Sequence, residues 1–420
     1  MSTLRASSYT IYVPLESSEA VLLVHGYTGA CDLVSAAVAA YVHSLAPAPP
    51  QPLYGAWRRD APPSPAARPS AATIERLSRR GFLTAKSVAE EENWFVRYVR
   101  ASHQRELTRA PDYAIVPTYA CNLQCERCRP GEPDEAPAIM AEETLAAVIR
   151  AVKALDADAT PPAASPRTLW LIGGEPLLAR CRPIVERIVA EFGRLPGFEI
   201  GALTNATELD AYADLLGPGM IASLNVALSA SPEDHQRRLR GAVSSGGHDE
   251  VIANVKLAQR RGVRVRVCAG EQALNEAGVS IAPASGTRLT ALARDLLSGK
   301  GDRSRERTAF CAASATMYVF DPFGDVYACW DRIGNPAVRT GLVLGSGRVV
   351  LTGFHRLWRE RTVVSNRVCK SCAFALYCGG GCAAAAENRS GTIFADHCDA
   401  FAERFRRAVT GELTRLTGAG

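Results

Sequence analysis

From about residue 111 to residue 267 the chain alternates short apolar runs with longer amphipathic ones, and this alternation restricts its fold more than any other feature. Tyr113–Pro117, Thr168–Ile172, Phe198–Leu203, Ile221–Leu228 and Val263–Val267 are apolar and rich in β-branched residues. Helical periodicity intervenes at Ala141–Leu155, Pro183–Phe192, Glu208–Leu216 and Glu250–Arg260. Apolar strands each followed by a helix predict a parallel sheet with helices outside. Closed βα barrels carry their chemistry at the C-terminal ends of the strands.

Cysteines stand at the first of those ends. Cys121, Cys125 and Cys128 lie in Thr118-Tyr119-Ala120-Cys121-Asn122-Leu123-Gln124-Cys125-Glu126-Arg127-Cys128, a CxxxCxxC. The spacing offers three thiolates to a four-iron cluster and leaves one iron open to a small molecule. A zinc knuckle needs a fourth Cys or His close by, and none lies near this loop. One strand–helix unit later, Trp170-Leu171-Ile172-Gly173-Gly174-Glu175-Pro176 ends in GGEP. Its glycines let backbone come close to a ligand, and the Glu175 carboxylate can pair with a ligand ammonium. Alone, GGEP is an ordinary strand-ending turn; after CxxxCxxC it is specific.

Together the two runs resemble the signatures of the radical S-adenosylmethionine (radical SAM) superfamily. The resemblance implies that the open iron of a [4Fe–4S] cluster chelates the amino and carboxylate groups of SAM. It also implies a partial TIM-like (βα)6 barrel, its last unit placed between Val279 and Leu297. SAM cleavage would yield a 5′-deoxyadenosyl radical that takes hydrogen from an unactivated carbon. Gly173, Gly174, Glu175 and Pro176 would frame SAM. Asn205, in Thr204-Asn205-Ala206-Thr207, stands where the family usually reads Thr-Asn-Gly. Arg127 replaces the aromatic common before the third cysteine, and a guanidinium can stack on adenine as a ring does. Leu228-Ser229-Ala230-Ser231-Pro232-Glu233-Asp234-His235 departs from the family's Ser-Leu-Asp-Gly pattern. Ala227 takes the place of the ribose-contacting serine and Ser229 that of the aspartate.

The C-terminal third holds seven more cysteines: Cys311, Cys329, Cys369, Cys372, Cys378, Cys382 and Cys398, with Gly324 between the first two. Their spacing resembles the SPASM extension of radical SAM enzymes, which implies two auxiliary [4Fe–4S] clusters. Carried over by position, Cys369, Cys372, Cys378 and Cys398 hold an outer cluster and Cys311, Cys329 and Cys382 an inner one. The run Gly379-Gly380-Gly381 permits a backbone tight enough for Cys378 and Cys382 to serve different clusters. Cys268 ends a strand and reads as a barrel residue, which leaves the inner cluster with three cysteine ligands. Asp331, two residues after Cys329, is the candidate catalytic base; its bland alternative is a loop carboxylate beside Arg332.

Cys31 and Cys181 read as buried small hydrophobes, and a disulfide framework does not suit a chain of 420 residues. Met1–Ser7 does not begin a signal peptide, and no run approaches about eighteen uninterrupted apolar residues. The expectation is a cytoplasmic protein with no membrane partner. A net charge of +5 is too small to signal nucleic acid. Apolar residues make up 47% of the chain, enough for two or three domains.

Ahead of the repeat, Tyr9–Leu15 and Ala20–Val24 read as a hairpin, Ser35–Val42 as a helix, residues 45–72 as a Pro/Ala-rich linker, and Ala72–Leu83 as a helix ending at glycine. This loosely resembles leader-recognition modules of peptide-modifying enzymes; a small cap on the barrel is the alternative. The expected division is residues 1–110 as this module, 111–300 as the α/β barrel and 301–420 as the SPASM segment. The implied function is oxidative modification, above all cross-linking, of a ribosomally made precursor peptide, with a flavodoxin- or ferredoxin-type electron donor. Formylglycine formation on a sulfatase is the rival enzyme reading, and a non-catalytic multi-zinc interaction protein the rival of another class.

Overall fold

A computed structural model of the chain describes residues 4–15, 20–47, 67–123, 139–159, 167–228, 233, 247–267, 288–299 and 306–417. It divides into two compact units, both assembled from segments distant in sequence. The first takes Met1–Glu106, Ser285–Ser314 and Glu360–Gly420; the second takes Leu107–Ala284 and Ala315–Arg359.

In the first unit a short ladder pairs β1 (Arg5–Ala6) with β5 (Leu83–Thr84). The expected hairpin forms as β2 (Thr10–Pro14) and β3 (Ala20–His25), and a third antiparallel strand, β4 (Cys31–Ser35), extends it. The sheet is covered on both faces. Ile11, Val13, Leu22 and Val24 pack with Leu292, Leu296, Tyr377, Phe401, Phe405 and Val409 from the far end of the chain. On the other face, Val21 and Leu23 meet Ala39, Val42, Leu77 and Phe82. Ser35 caps the helix Ala36–Ser44 by accepting from the Val38 N–H. Gly81, at φ 93°, closes the helix Ala71–Arg80 in the left-handed conformation that glycine favours. The helix Val88–Leu107 buries Glu91, Phe95, Val99 and His103, one residue per turn on one stripe. Glu91 is the polar member, and it accepts from Ser7 Oγ at 2.5 Å and Arg5 Nη2 at 2.8 Å.

The second unit is built on a nine-stranded sheet. The five expected strands are β6 (Asp112–Ile115), β7 (Arg167–Leu171), β8 (Phe198–Thr204), β9 (Ile221–Val226) and β10 (Arg264–Val267), parallel and in sequence order. Helices Glu142–Ala157, Arg182–Phe192 and His248–Arg260 cover one face, with Leu145, Val148, Val185, Ile188, Val251 and Val255 in the core. The expected helix at 208–216 is instead a 3₁₀ turn, Leu209–Leu215. Three residues per turn bring Leu209 and Tyr212 onto one buried edge, where the Tyr212 hydroxyl donates to Leu178 O at 2.7 Å.

Among the described residues a sixth parallel strand is present that the sequence reading did not place. It is β11 (Met317–Phe320), paired with β6 on the side away from β7. Antiparallel strands β12 (Asp325–Tyr327), β13 (Gly341–Val343) and β14 (Val349–Leu351) extend the sheet beyond it. In the stretch assigned to the last βα unit, residues 279–287 lie outside the described residues. The helix Arg288–Leu297 belongs to the first unit, because Leu292, Ala293 and Leu296 pack against Phe405 and Val409 of the helix Phe401–Thr417. Among the described residues no helix is long and apolar enough to cross a membrane.

Candidate functional site

Beyond the end of β6 the chain runs on through Val116–Ala120 to Cys121, and beyond β7 it runs into Ile172–Pro176. The parallel ladder continues across these extensions. Ile172 N–H donates to Ile115 O at 3.0 Å, Gly174 N–H to Thr118 O at 3.1 Å and Glu175 N–H to Ala120 O at 2.7 Å. This pairing requires both glycines. A Cβ on Gly174 would stand 2.2 Å from Ala120 O, and one on Gly173, at φ 144°, would stand 2.4 Å from Thr118 O. What approaches the GGEP backbone so closely is the chain's own approach to Cys121.

The Glu175 carboxylate turns inward and is 2% exposed. Oε1 accepts from Leu177 N–H at 2.9 Å and Thr204 Oγ1 at 2.7 Å, and Oε2 from Asn205 N–H at 2.7 Å. Burial pushes its pKa up to about 7 against the pull of these three donors, and the nearby Glu208 charge adds to the rise. Its hydrogen-bond partners here are groups of the chain that tie GGEP to the end of β8. Asn205, fixed by that contact, donates its side-chain amide to Asn122 Oδ1 at 2.9 Å and to Cys121 Sγ at 3.8 Å. Ala206 follows at φ 61°, left-handed, which accounts for the glycine that the resembling family carries here. Buried Asn254 holds this turn by donating to Ala206 O at 2.8 Å and Thr207 O at 3.2 Å. Its one sequence signal is a polar residue on the apolar face of a helix.

A buried carboxylate that sequence reasoning missed is also tied to the cysteine loop. Asp321, 1% exposed, accepts from the Tyr119 hydroxyl at 2.9 Å, two residues before Cys121. Burial raises its pKa to about 6, although Tyr119, Asp325 N–H and Phe323 N–H donate to it. Asp331, by contrast, is exposed, in the turn Trp330–Arg332 directly after Cys329. Cys125, Cys128, Arg127 and Cys268 lie outside the described residues.

In the first unit, six of the SPASM-like cysteines share one neighbourhood. Cys369 sits on the short helix Arg367–Lys370, whose N-cap Asn366 accepts from Cys369 N–H at 2.8 Å. Cys378 ends the helix Ala375–Cys378, and Cys382 begins the helix Ala383–Ser390. Between them Gly379, Gly380 and Gly381 have φ of 79°, 81° and 76°. A Cβ on Gly381 would lie 1.9 Å from His397 O, so only glycine lets this turn lie against the approach to Cys398. Burial pushes the thiols of Cys369, Cys372 and Cys398 up to about 12; Asp396 adds to the rise at Cys398, and Cys378 adds to all three. Burial likewise raises Cys311, with Cys382 adding to it.

Among the described residues no two cysteines are joined in a disulfide. Among the described residues no three Cys, His, Asp or Glu side chains stand together at metal-ligating separation. The six cysteines of the first unit nevertheless offer sulfur donors gathered within electrostatic reach, and that chemistry fits iron–sulfur clusters.

Comparison with known proteins agrees with the geometry of the second unit. The sequence model of the radical SAM superfamily matches residues 115–270. Over 159 residues the chain is 31% identical to GTP 3',8-cyclase of Rhodococcus opacus (strain B4), covering 37% of this chain and 41% of that protein. The chain thus spans less than half the length of this curated relative. Among solved structures, anSMEcpe with bound AdoMet aligns at a TM-score of 0.53 with 15% identity, over 74% of this chain and 95% of that one. The same protein with bound AdoMet and Cp18Cys peptide aligns at 0.51 with 14% identity, over 74% and 99%. These structures share the fold. Residues 115–270 are thus a radical SAM domain.

Proposed function

We propose that this chain, through its radical SAM domain, oxidatively modifies a ribosomally made precursor peptide, forming a cross-link in it. In this reading the parallel strands form a partial (βα)6 barrel, and Cys121, Cys125 and Cys128 hold its cluster. The C-terminal segment is of SPASM type, with Cys369, Cys372, Cys378 and Cys398 at an outer auxiliary cluster and Cys311, Cys329 and Cys382 at an inner one. When bound, SAM and the first cluster supply a 5′-deoxyadenosyl radical. The chain's own contribution is placement. The GGEP ladder fixes where Cys121 emerges, Asn205 directs an amide at its sulfur, and Arg127 would stack on the adenine. Asp331, exposed, takes the proton released as the substrate is oxidised. The electron donor is of flavodoxin or ferredoxin type.

One observation carries the peptide reading: the N-terminal sheet and the cysteine-rich segment share a core, and β4 is an edge strand of that sheet. Leu33 on β4 is 58% exposed although its cross-strand partner Leu22 is buried. An edge that no described residue pairs with, carrying an apolar side chain, suits the addition of an extended leader segment. Burying one leucine is worth about 1.5–3 kcal/mol, so Leu33→Asp should weaken precursor binding about tenfold or more. The same variant should leave peptide-free SAM cleavage unchanged. Unaltered affinity would remove the edge from recognition. Formylglycine in the product would establish the sulfatase-maturing reading instead, and colourless zinc-loaded protein would overturn both enzyme readings.

A further inference from the structure

Arg361 is the most deeply buried arginine among the described residues, at 2% exposed, and it makes no ion pair among them. All its hydrogen bonds go to backbone carbonyls. Nε donates to Ile393 O, and Nη2 donates to Gly381 O at 2.9 Å, Gly380 O at 3.2 Å and Ala395 O at 3.3 Å. The groups of opposite potential charge around it are thiols: Cys369 and Cys378 of the outer set, and Cys311 and Cys382 of the inner set. Arg307, Arg288 and Arg404 also lie near these cysteines, and Arg307 has Glu106 within electrostatic reach as well.

A guanidinium does not give up its proton in a protein, and a buried cation without a counter-charge is costly. Carbonyl dipoles offset part of that cost. Protonated thiols offset none, whereas thiolates holding iron clusters would bring net negative charge near the guanidinium. The same side chain ties the turn between Cys378 and Cys382 to the strand of chain that leads to Cys398, so charge and geometry act at one point.

We propose that Arg361 is a positioning residue, the shared counter-cation of the two auxiliary clusters, and that it sets their reduction potentials. The proposal rests on the cluster reading of these cysteines. Charge near a cluster is one of the main controls of its potential. Removing a cation disfavours adding an electron, so a neutral side chain here should move both auxiliary potentials to more negative values.

The test uses the full chain with Cys121, Cys125 and Cys128 all changed to Ala, which leaves only the auxiliary clusters to be read. This parent should hold about 8 irons. Potentiometric titration followed by electron paramagnetic resonance is then compared among the parent, Arg361→Lys and Arg361→Met. The expected result is a shift to more negative potential in Arg361→Met and potentials near the parent's in Arg361→Lys. If Arg361→Met fails to hold its clusters, retention of iron by Arg361→Lys still supports the role of charge. Iron loss in both variants, or equal shifts in both, would assign Arg361 to carbonyl binding alone and overturn the proposal. Fully loaded Arg361→Met with unmoved potentials would overturn it while leaving the cluster reading intact. An iron-free parent would sink the cluster reading and this inference with it.

Discussion

At Gly174 a single hydrogen atom in place of a side chain decides whether two strand extensions can pair. A methyl group there meets Ala120 O at 2.2 Å, and neither backbone can yield without breaking the Glu175 N–H bond to the same oxygen. Gly174→Ala should therefore destabilise the second unit by about 1–3 kcal/mol in urea unfolding, the usual range for overpacking. It should also displace Cys121; unchanged stability would show that the extensions are not clamped. Glu175 makes a pH-dependent contribution. Its pKa is about 7 in the fold against an ordinary 4.5. Below pH 4.5 the carboxyl is protonated in both states and has no effect. Between pH 4.5 and 7 the unfolded chain ionises first, so folded stability falls, by roughly 3 kcal/mol in all, and levels off above 7. Glu175→Gln should abolish that decline when unfolding is followed across this pH range. A slope like the wild type's would assign the titration to another group.

Among the elements, the sheet β2–β3–β4 and the helix Phe401–Thr417 depend on each other. Phe405, 1% exposed, stacks on Tyr377 at 5.3 Å between ring centroids and lies in the same cluster as Ile11 and Val24. Phe405→Ala should cost about 3–5 kcal/mol, as large core truncations do. Because the cluster spans both ends of the chain, limited proteolysis of the variant should release the N-terminal strands and the cysteine-rich segment together. Cleavage confined to the C-terminal helix would show that the sheet stands alone. For the same reason, removing residues 1–72 would strip one wall from the core behind the cysteines, so the point change Leu33→Asp is the cleaner probe of peptide docking.

At the scale of the whole molecule the prediction is iron content. Anaerobically reconstituted protein should bind about 12 irons, and changing Cys121, Cys125 and Cys128 to Ala should leave about 8. A wild-type count near four would confine iron to the radical SAM domain. The parallel repeat was legible in the chain because apolar period and glycine punctuation are local signals; β6 to β10 lie where the runs of β-branched residues stand. CxxxCxxC and GGEP are patterns of the same local kind, residues close in sequence whose proposed role rests on residue type and spacing. Other features are tertiary. The parallel strand Met317–Phe320 was not legible, because its pairing with β6 is a contact across some two hundred residues that no local periodicity encodes. Asp321 and Arg361 look in sequence like surface charges, and only packing buries them, one under Tyr119 and the other among carbonyls and thiols. By itself the sequence determined which thiols and glycines were available and at what spacing. The tertiary structure decided which charges lost their water, since desolvation depends on everything that surrounds a group and not on its neighbours along the chain.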